Sequence, residues 1–292
     1  MTTTVVVLEQ LTLTAPFGVR FWDVANVAPA EPGLTVVASP DSFPQLTTMA
    51  TEGPSGVYSF SGLPGLRGFE NGAGDDAFWA ANPPVTPYAV QVSDNGLRYL
   101  PFRFSVTLPA RGLFSLWDSP LSNTLTPGPD WLPVFSSPSR ILPGPSGAIY
   151  ATLWDDSAKA PAAWALLSSQ APGLPPVTAL ADGRGVVALF QPYPEPNGSA
   201  TTSPLSAPNL ASQSWPVEVS VAYGGVPAAT AVPDLNRVLE QGPATVWRDS
   251  AHTVSADQFQ LSFGTDLVLR SLDSSSGREL PTLLVTPATS PL

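Results

Sequence analysis

The chain has 292 residues, 43% of them hydrophobic and 9% aromatic, with only 12% charged and a net charge of -11 at pH 7. That much apolar side chain excludes a disordered polymer, and the acidic balance excludes a nucleic-acid ligand, because phosphate contacts need a cationic face. The 35 prolines confine helices to short pieces, the absence of cysteine excludes disulfides and thiolate metal sites, and the length predicts two or three modules of roughly 100 residues.

In chain order, Thr4 to Leu13 is apolar and β-branched enough for a strand, and Gly18 to Val24 is a second. Gly33 to Pro40 is a third, stopped by its proline. Thr47 to Thr51 is a fourth and Gly56 to Ser61 a fifth, bracketed by the turn sequences Pro54-Ser55-Gly56 and Leu63-Pro64-Gly65. Residues 64–87 read as a long glycine- and proline-rich loop that carries an aromatic pair, Phe78 and Trp79. Tyr88 to Ser93 and Tyr99 to Leu108 flank an Asp94-Asn95-Gly96 turn, a hairpin that closes a first β-sandwich module at residue 109.

A second module, 110–196, opens with Phe114-Ser115-Leu116-Trp117-Asp118 and crosses a proline-rich loop containing Trp131. Its strands are expected at Ala148 to Asp155, Ala162 to Ser169, Val177 to Ala181 and Val186 to Phe190. The run Gln191-Pro192-Tyr193-Pro194-Glu195-Pro196 ends that sheet, since proline cannot donate to a ladder. Residues 197–214 have linker composition, and the Asn197-Gly198-Ser199 sequon reads as a turn within it. The remainder, 215–292, is expected to be a C-terminal β-rich module. Its strands fall at Trp215 to Tyr223, Thr245 to Trp247, Gln258 to Phe263, Asp266 to Ser271 and Thr282 to Val285, with a short helix near 233–241. Pro233 at its start and Gly242-Pro243 after its end are boundary signals. The fold class is mainly β: two or three tandem antiparallel β-sandwich modules with proline-rich loops.

Two stretches about 130 residues apart read alike, which marks an internal repeat. Val19-Arg20-Phe21-Trp22-Asp23 leads to Gly56-Val57-Tyr58-Ser59-Phe60, and Ala151-Thr152-Leu153-Trp154-Asp155 leads to Gly185-Val186-Val187-Ala188-Leu189. Trp22 and Trp154, at equivalent places, are expected to be packing residues.

Chemistry-bearing patterns are sparse. The one histidine, His252, lies in a polar turn, Arg248-Asp249-Ser250-Ala251-His252-Thr253, without a nucleophile elbow or a metal-binding His-Glu-x-x-His, and reads as an exposed loop residue. The adjacent carboxylates Asp75 and Asp76, and Asp155 and Asp156, fit no calcium-loop spacing, and neighbours on a strand point apart. No catalytic residue, cofactor or metal is predicted, and the chain reads as non-enzymatic. The eleven arginines against a single lysine, Lys159, fit either a surface that is covered by something or a GC-rich genome that favours arginine codons, and the second reading does not account for the low total charge. The start of the sequence has no basic, cleavable leader and no run long enough to span a membrane, which predicts a cytoplasmic protein without a membrane span.

Gly18-Val19-Arg20-Phe21-Trp22-Asp23, then Gly33-Leu34-Thr35-Val36, then Ser55-Gly56-Val57-Tyr58-Ser59-Phe60-Ser61-Gly62-Leu63-Pro64-Gly65 resembles the carboxypeptidase-regulatory-like or transthyretin-like β-sandwich. That resemblance implies a structural or binding appendage without catalysis. The second copy keeps Asp182-Gly183-Arg184-Gly185-Val186 but lacks the Leu-Pro-Gly turn. The whole arrangement, with Pro87-Tyr88-Ala89-Val90, Tyr99-Leu100-Pro101-Phe102 and Leu283-Leu284-Val285-Thr286-Pro287, is similar to proteins encoded beside bacterial contractile injection systems, the phage-tail-like particles. This resemblance implies a structural subunit at the cap, baseplate or tube end, whose partners are other subunits of the particle. Phe78, Trp79, Trp131 and Tyr193 are the candidate interface residues, since aromatic side chains concentrate binding energy. A carbohydrate-binding or adhesive module, stacking loop tryptophans on sugar rings, is the alternative.

Overall fold

The computed structural model describes residues 15–70, 79–80, 82–110, 112–115, 125–141, 144, 146–196, 210–224, 226–227 and 230–288. The expected strand at Thr4 to Leu13, the residues Phe78, Asp75 and Asp76, the Trp117-Asp118 pair and the Asn197-Gly198-Ser199 turn lie outside them. The chain is mainly β, built from mostly antiparallel sheets in two sandwich-like halves.

In the first half, β3 (Leu34–Pro40), β4 (Thr48–Met49), β7 (Thr86–Asp94) and β8 (Phe102–Leu108) form one sheet in the order β4-β3-β7-β8. The opposite sheet is built on β1 (Gly18–Asp23), flanked by β2 (Ala28–Pro29), β5 (Thr51–Glu52), β6 (Tyr58–Ser59) and β9 (Trp131–Val134). Alternation decides which side faces in. Phe102, Phe104, Val106 and Leu108 are buried while Arg103, Ser105 and Thr107 face water. Phe17, Phe60, Phe104 and Phe114 then pack ring on ring between the sheets, with centroids 4.9–6.4 Å apart.

The second half repeats this plan. β10 (Ser146–Asp155) takes the place of β1, with β11 (Ala160–Pro161) and β14 (Val186–Pro192) along one edge. β18 (Leu267–Leu269) and β19 (Leu283–Pro287) run parallel to β10 along the other. β12 (Leu166–Gln170) pairs with β13 (Val177–Leu180) and β15 (Ser214–Ala222), and β15 pairs with β17 (Gln258–Ser262). β16 (Pro243–Trp247) hydrogen-bonds to both β15 and β19 and so joins the two layers.

The registers correspond residue by residue. Trp22 lies opposite Pro29 and Asp23 opposite Ala28; in the repeat, Trp154 lies opposite Pro161 and Asp155 opposite Ala160. β9 runs parallel to β1, with Asp23 beside Val134, and β19 runs parallel to β10, with Asp155 beside Val285. The Asp carries the motif. Its Oδ1 accepts the N–H groups of Ala25 and Asn26 in one copy and of Ser157 and Ala158 in the other, folding the following turn. Both turns reach a non-glycine residue in the left-handed region, Val27 at φ 51° and Lys159 at φ 52°.

Strand pairing corrects three boundaries. The first module does not end at 109, because β9 is needed beside β1. Nor is 215–292 a separate module, because β15 to β19 supply partners for β10 and β12. In each half the last strand returns beside the first, β9 beside β1 and β19 beside β10, a long-range pairing that composition breaks do not mark. The sheet expected to stop before Gln191 continues through Pro192, which lies opposite Ser146 at the ladder's end. Among the described residues, no helix is long and apolar enough to cross a membrane.

Candidate interaction surfaces

One end of the first module is braced by a charged network beneath the surface. Arg140 and Asp23 are buried side chains, 5% and 1% exposed, and their ends lie 2.7 Å apart. The other amino group of Arg140 reaches Glu31 Oε1 at 2.6 Å, and the Tyr99 hydroxyl donates to Asp23 Oδ2 at 3.0 Å. The guanidinium of Arg140 also lies over the Tyr99 ring, 4.6 Å from its centroid. Beside it, Arg98 clamps Asp94 through Nε and Nη2, both at 2.9 Å, and donates to Glu31 at 3.0 Å.

The electrostatics follow from this geometry. Burial alone would raise the Asp94 carboxyl, but the Arg98 guanidinium and the N–H groups of Arg98 and Gly96 outweigh it and hold the group at about 2. Burial likewise opposes the charge on Glu31, yet the two arginines prevail and its pKa is lowered. Tyr99 is pushed up to about 12, mainly by burial. In the second module, Asp155 pairs with no arginine among the described residues. It accepts from Ser157, and its hydrogen bond with Tyr223, secondary to burial, raises that phenol.

This network supports loop tips that carry large apolar side chains into water. Ile141 is 90% exposed, Leu97 72% and Val27 68%. Leu97 and Ile141 flank a depression of about 340 Å³ walled by Glu31, Arg98, Ser139 and Arg140. Leu97, at φ 55°, and Val27 are both held in a left-handed conformation that costs a side chain roughly 1–2 kcal/mol. For a β-branched residue such as Val27 this is an outlier. The sequence carried a signal for Leu97, an apolar residue directly after Asp94-Asn95-Gly96. It carried none for Arg140, whose partner Glu31 is 109 positions away.

The candidate interface residues fall into separate clusters. Trp79 packs edge-on against Phe69, centroids 5.8 Å apart, beside helix α1 (Arg67–Glu70). Trp131 lies in β9 with the Arg20 guanidinium 4.4 Å from its ring centroid and Trp22 against it at 5.4 Å. Arg20 also pairs with Asp130. Tyr193 packs between Trp215 and Phe263, and its hydroxyl accepts the N–H of Gly264 at 2.9 Å. All three are partly buried. Trp22 and Trp154 are also partly buried, on the outward side of β1 and β10, and Trp22 packs against Trp131.

His252 is not simply exposed. Its ring stacks on Trp247, with centroids 4.8 Å apart and planes 16° from parallel, and its Nε2 lies 3.2 Å from Asp156 Oδ2. The neighbouring hydroxyls are engaged elsewhere, Ser250 with Ser274 and Thr253 with Asp249. Asp155 and Asp156 do diverge: the first is buried and the second pairs with Lys159 at 2.7 Å. Among the described residues, no three His, Cys, Asp or Glu side chains gather as a metal site. Another groove of about 270 Å³ runs across β12, β15 and β17, lined by residues such as Ser168, Gln170, Glu218, Val219 and Gln258.

No known protein family matches the chain, and neither does any curated protein sequence. Among solved structures it is similar to the shaft pilin spaA from Lactobacillus rhamnosus GG, at 8% identity and a TM-score of 0.23 over 94% of this chain and 97% of that one. A point mutant of the same pilin gives 9% identity and a TM-score of 0.23 over 98% of this chain and 93% of that one. A likeness of this size decides neither topology nor function.

Proposed function

We propose that the chain is a non-enzymatic assembly subunit that acts through protein–protein contacts, as a structural component of a phage-tail-like contractile injection particle. The observation that carries the contact reading is the set of exposed apolar tips at Val27, Leu97 and Ile141, two of them held at a conformational cost over a buried ion network. Isolated exposed apolar residues are ordinary, but strain spent to present them is a feature of surfaces that bind. A rigid base also lowers the entropy lost when a partner docks. The particle itself is suggested by the sequence resemblance alone. Sugar binding has weaker support, because Arg20 lies over Trp131 and Trp22 meets the same ring.

The test replaces Leu97 and Ile141 together with aspartate and follows incorporation into particles by co-purification with sheath and tube proteins. The expected result is at least a tenfold loss of incorporation with an unchanged thermal midpoint. Normal incorporation refutes the surface, and a wild-type chain that never co-purifies with such proteins refutes the particle.

A further inference from the structure

The two copies differ in one connection between strands. In the first, β7 is joined to β8 through the tight turn after Asp94. In the second, the chain leaves β15 at Ala222, and among the described residues the next strand begins at Pro243. Helix α2 (Leu235–Leu239) lies in this insertion, capped by Asp234, whose side chain accepts the N–H groups of Asn236 and Arg237. The short helix expected near 233–241 is therefore present, and its apolar residues Leu235, Val238 and Leu239 are all buried.

What buries them belongs to both modules. Leu235, Val238 and Leu239 belong to a single buried cluster that contains Phe102 and Phe104 of β8 as well as Trp164, Leu166 and Leu180 of the second module. Polar contacts hold the insertion at both sides. The Arg103 N–H of β8 donates to the Pro233 carbonyl at 2.9 Å, and Arg103 forms a parallel bridge with Asp234 along the outer edge of that sheet. On the other side, Trp164 Nε1 donates to the Thr230 carbonyl at 3.0 Å and Gln241 Nε2 donates to the Trp164 carbonyl at 2.8 Å. Trp164 sits in a left-handed conformation, φ 62°, which turns its backbone carbonyl and its ring to the same insertion.

We infer that the segment from Thr230 to Gln241 is a strap that locks the two modules into one body, so that they unfold and reorient together. Tandem modules joined only by a short connection reorient by default. Here an inserted segment of one module covers the open edge of the other's sheet and shares its core, which removes that freedom. The first module's tight turn cannot do the same, so the lock is asymmetric and belongs to the second copy.

Calorimetry and small-angle scattering of the full chain test the inference, using Leu235→Asp with Val238→Asp. The expected wild-type result is one cooperative transition. The variant is expected to melt in two, with a radius of gyration larger by a few ångströms. Two transitions in the wild type, or one transition and an unchanged radius in the variant, overturn the strap. A milder substitution, Val238→Ala, covers the case in which the double variant does not fold. Peptides spanning 102–108 should then exchange amide hydrogen at least tenfold faster while those spanning 34–40 do not change, and equal exchange in both overturns it.

Discussion

Gly56 and Gly185 occupy the same turn in the two copies, and replacing each with alanine tests both the duplication and the packing around it. The two have φ values of 71° and 78°, and each N–H closes an equivalent turn, Gly56 to the Gly53 carbonyl at 3.0 Å and Gly185 to the Asp182 carbonyl at 2.9 Å. The backbone cost of alanine in this region, about 1 kcal/mol, is therefore common to both. They differ in what a Cβ would meet. At 56 nothing lies within 4 Å, whereas at 185 the Leu153 carbonyl oxygen is 2.4 Å away. That oxygen accepts the Ala162 N–H at 3.0 Å, and the Leu153 N–H donates to the Gly185 carbonyl at 2.8 Å. Relieving the clash therefore pulls the turn off β10 and weakens both bonds. Overpacking of this kind costs about 1–3 kcal/mol, and each weakened bond up to about 1 kcal/mol. Gly185→Ala should thus lose about 3–4 kcal/mol against about 1 kcal/mol for Gly56→Ala. Urea unfolding followed by tryptophan fluorescence reads the difference. Equal losses would refute the close approach, and a negligible loss at 56 would refute the shared left-handed turn.

Three further outcomes concern charged pairs. Arg140→Met should destabilise by about 3 kcal/mol, because it leaves the buried Asp23 carboxylate without its cation; the N–H groups of Ala25 and Asn26 and the Tyr99 hydroxyl keep the loss at the low end of the range. Arg184→Met, which breaks an exposed pair with Asp182, should stay within about 0.5 kcal/mol, and similar losses for the two would show that Arg140 is not buried with its partners. Asp94 is held at about 2, below its ordinary 3.8, so its stabilising contribution is present above about pH 4 and is lost as pH falls through 2. Asp94→Asn should therefore cost about 2 kcal/mol at neutral pH and progressively less from pH 4 to pH 2. A penalty that does not change over that window would place the loss in packing and not in charge.

The sequence alone determined the fold class and most of the strands, because alternation such as Phe102-Arg103-Phe104-Ser105-Val106 is a local property and proline punctuates the segments between. It also exposed the duplication, since Trp22-Asp23 and Trp154-Asp155 fold the same turn by contacts only two and three residues long. The candidate aromatics were legible as residue types and not as surfaces: Trp131 and Tyr193 had packing partners that no local pattern announces. Only the tertiary structure decided where each module closes, that Arg140 reaches Asp23, that Leu97 and Ile141 stand in water above them, and that the insertion bearing α2 belongs to both halves. These are pairings between distant positions, set by which strand returns beside which, and a chain read one window at a time has no term for them.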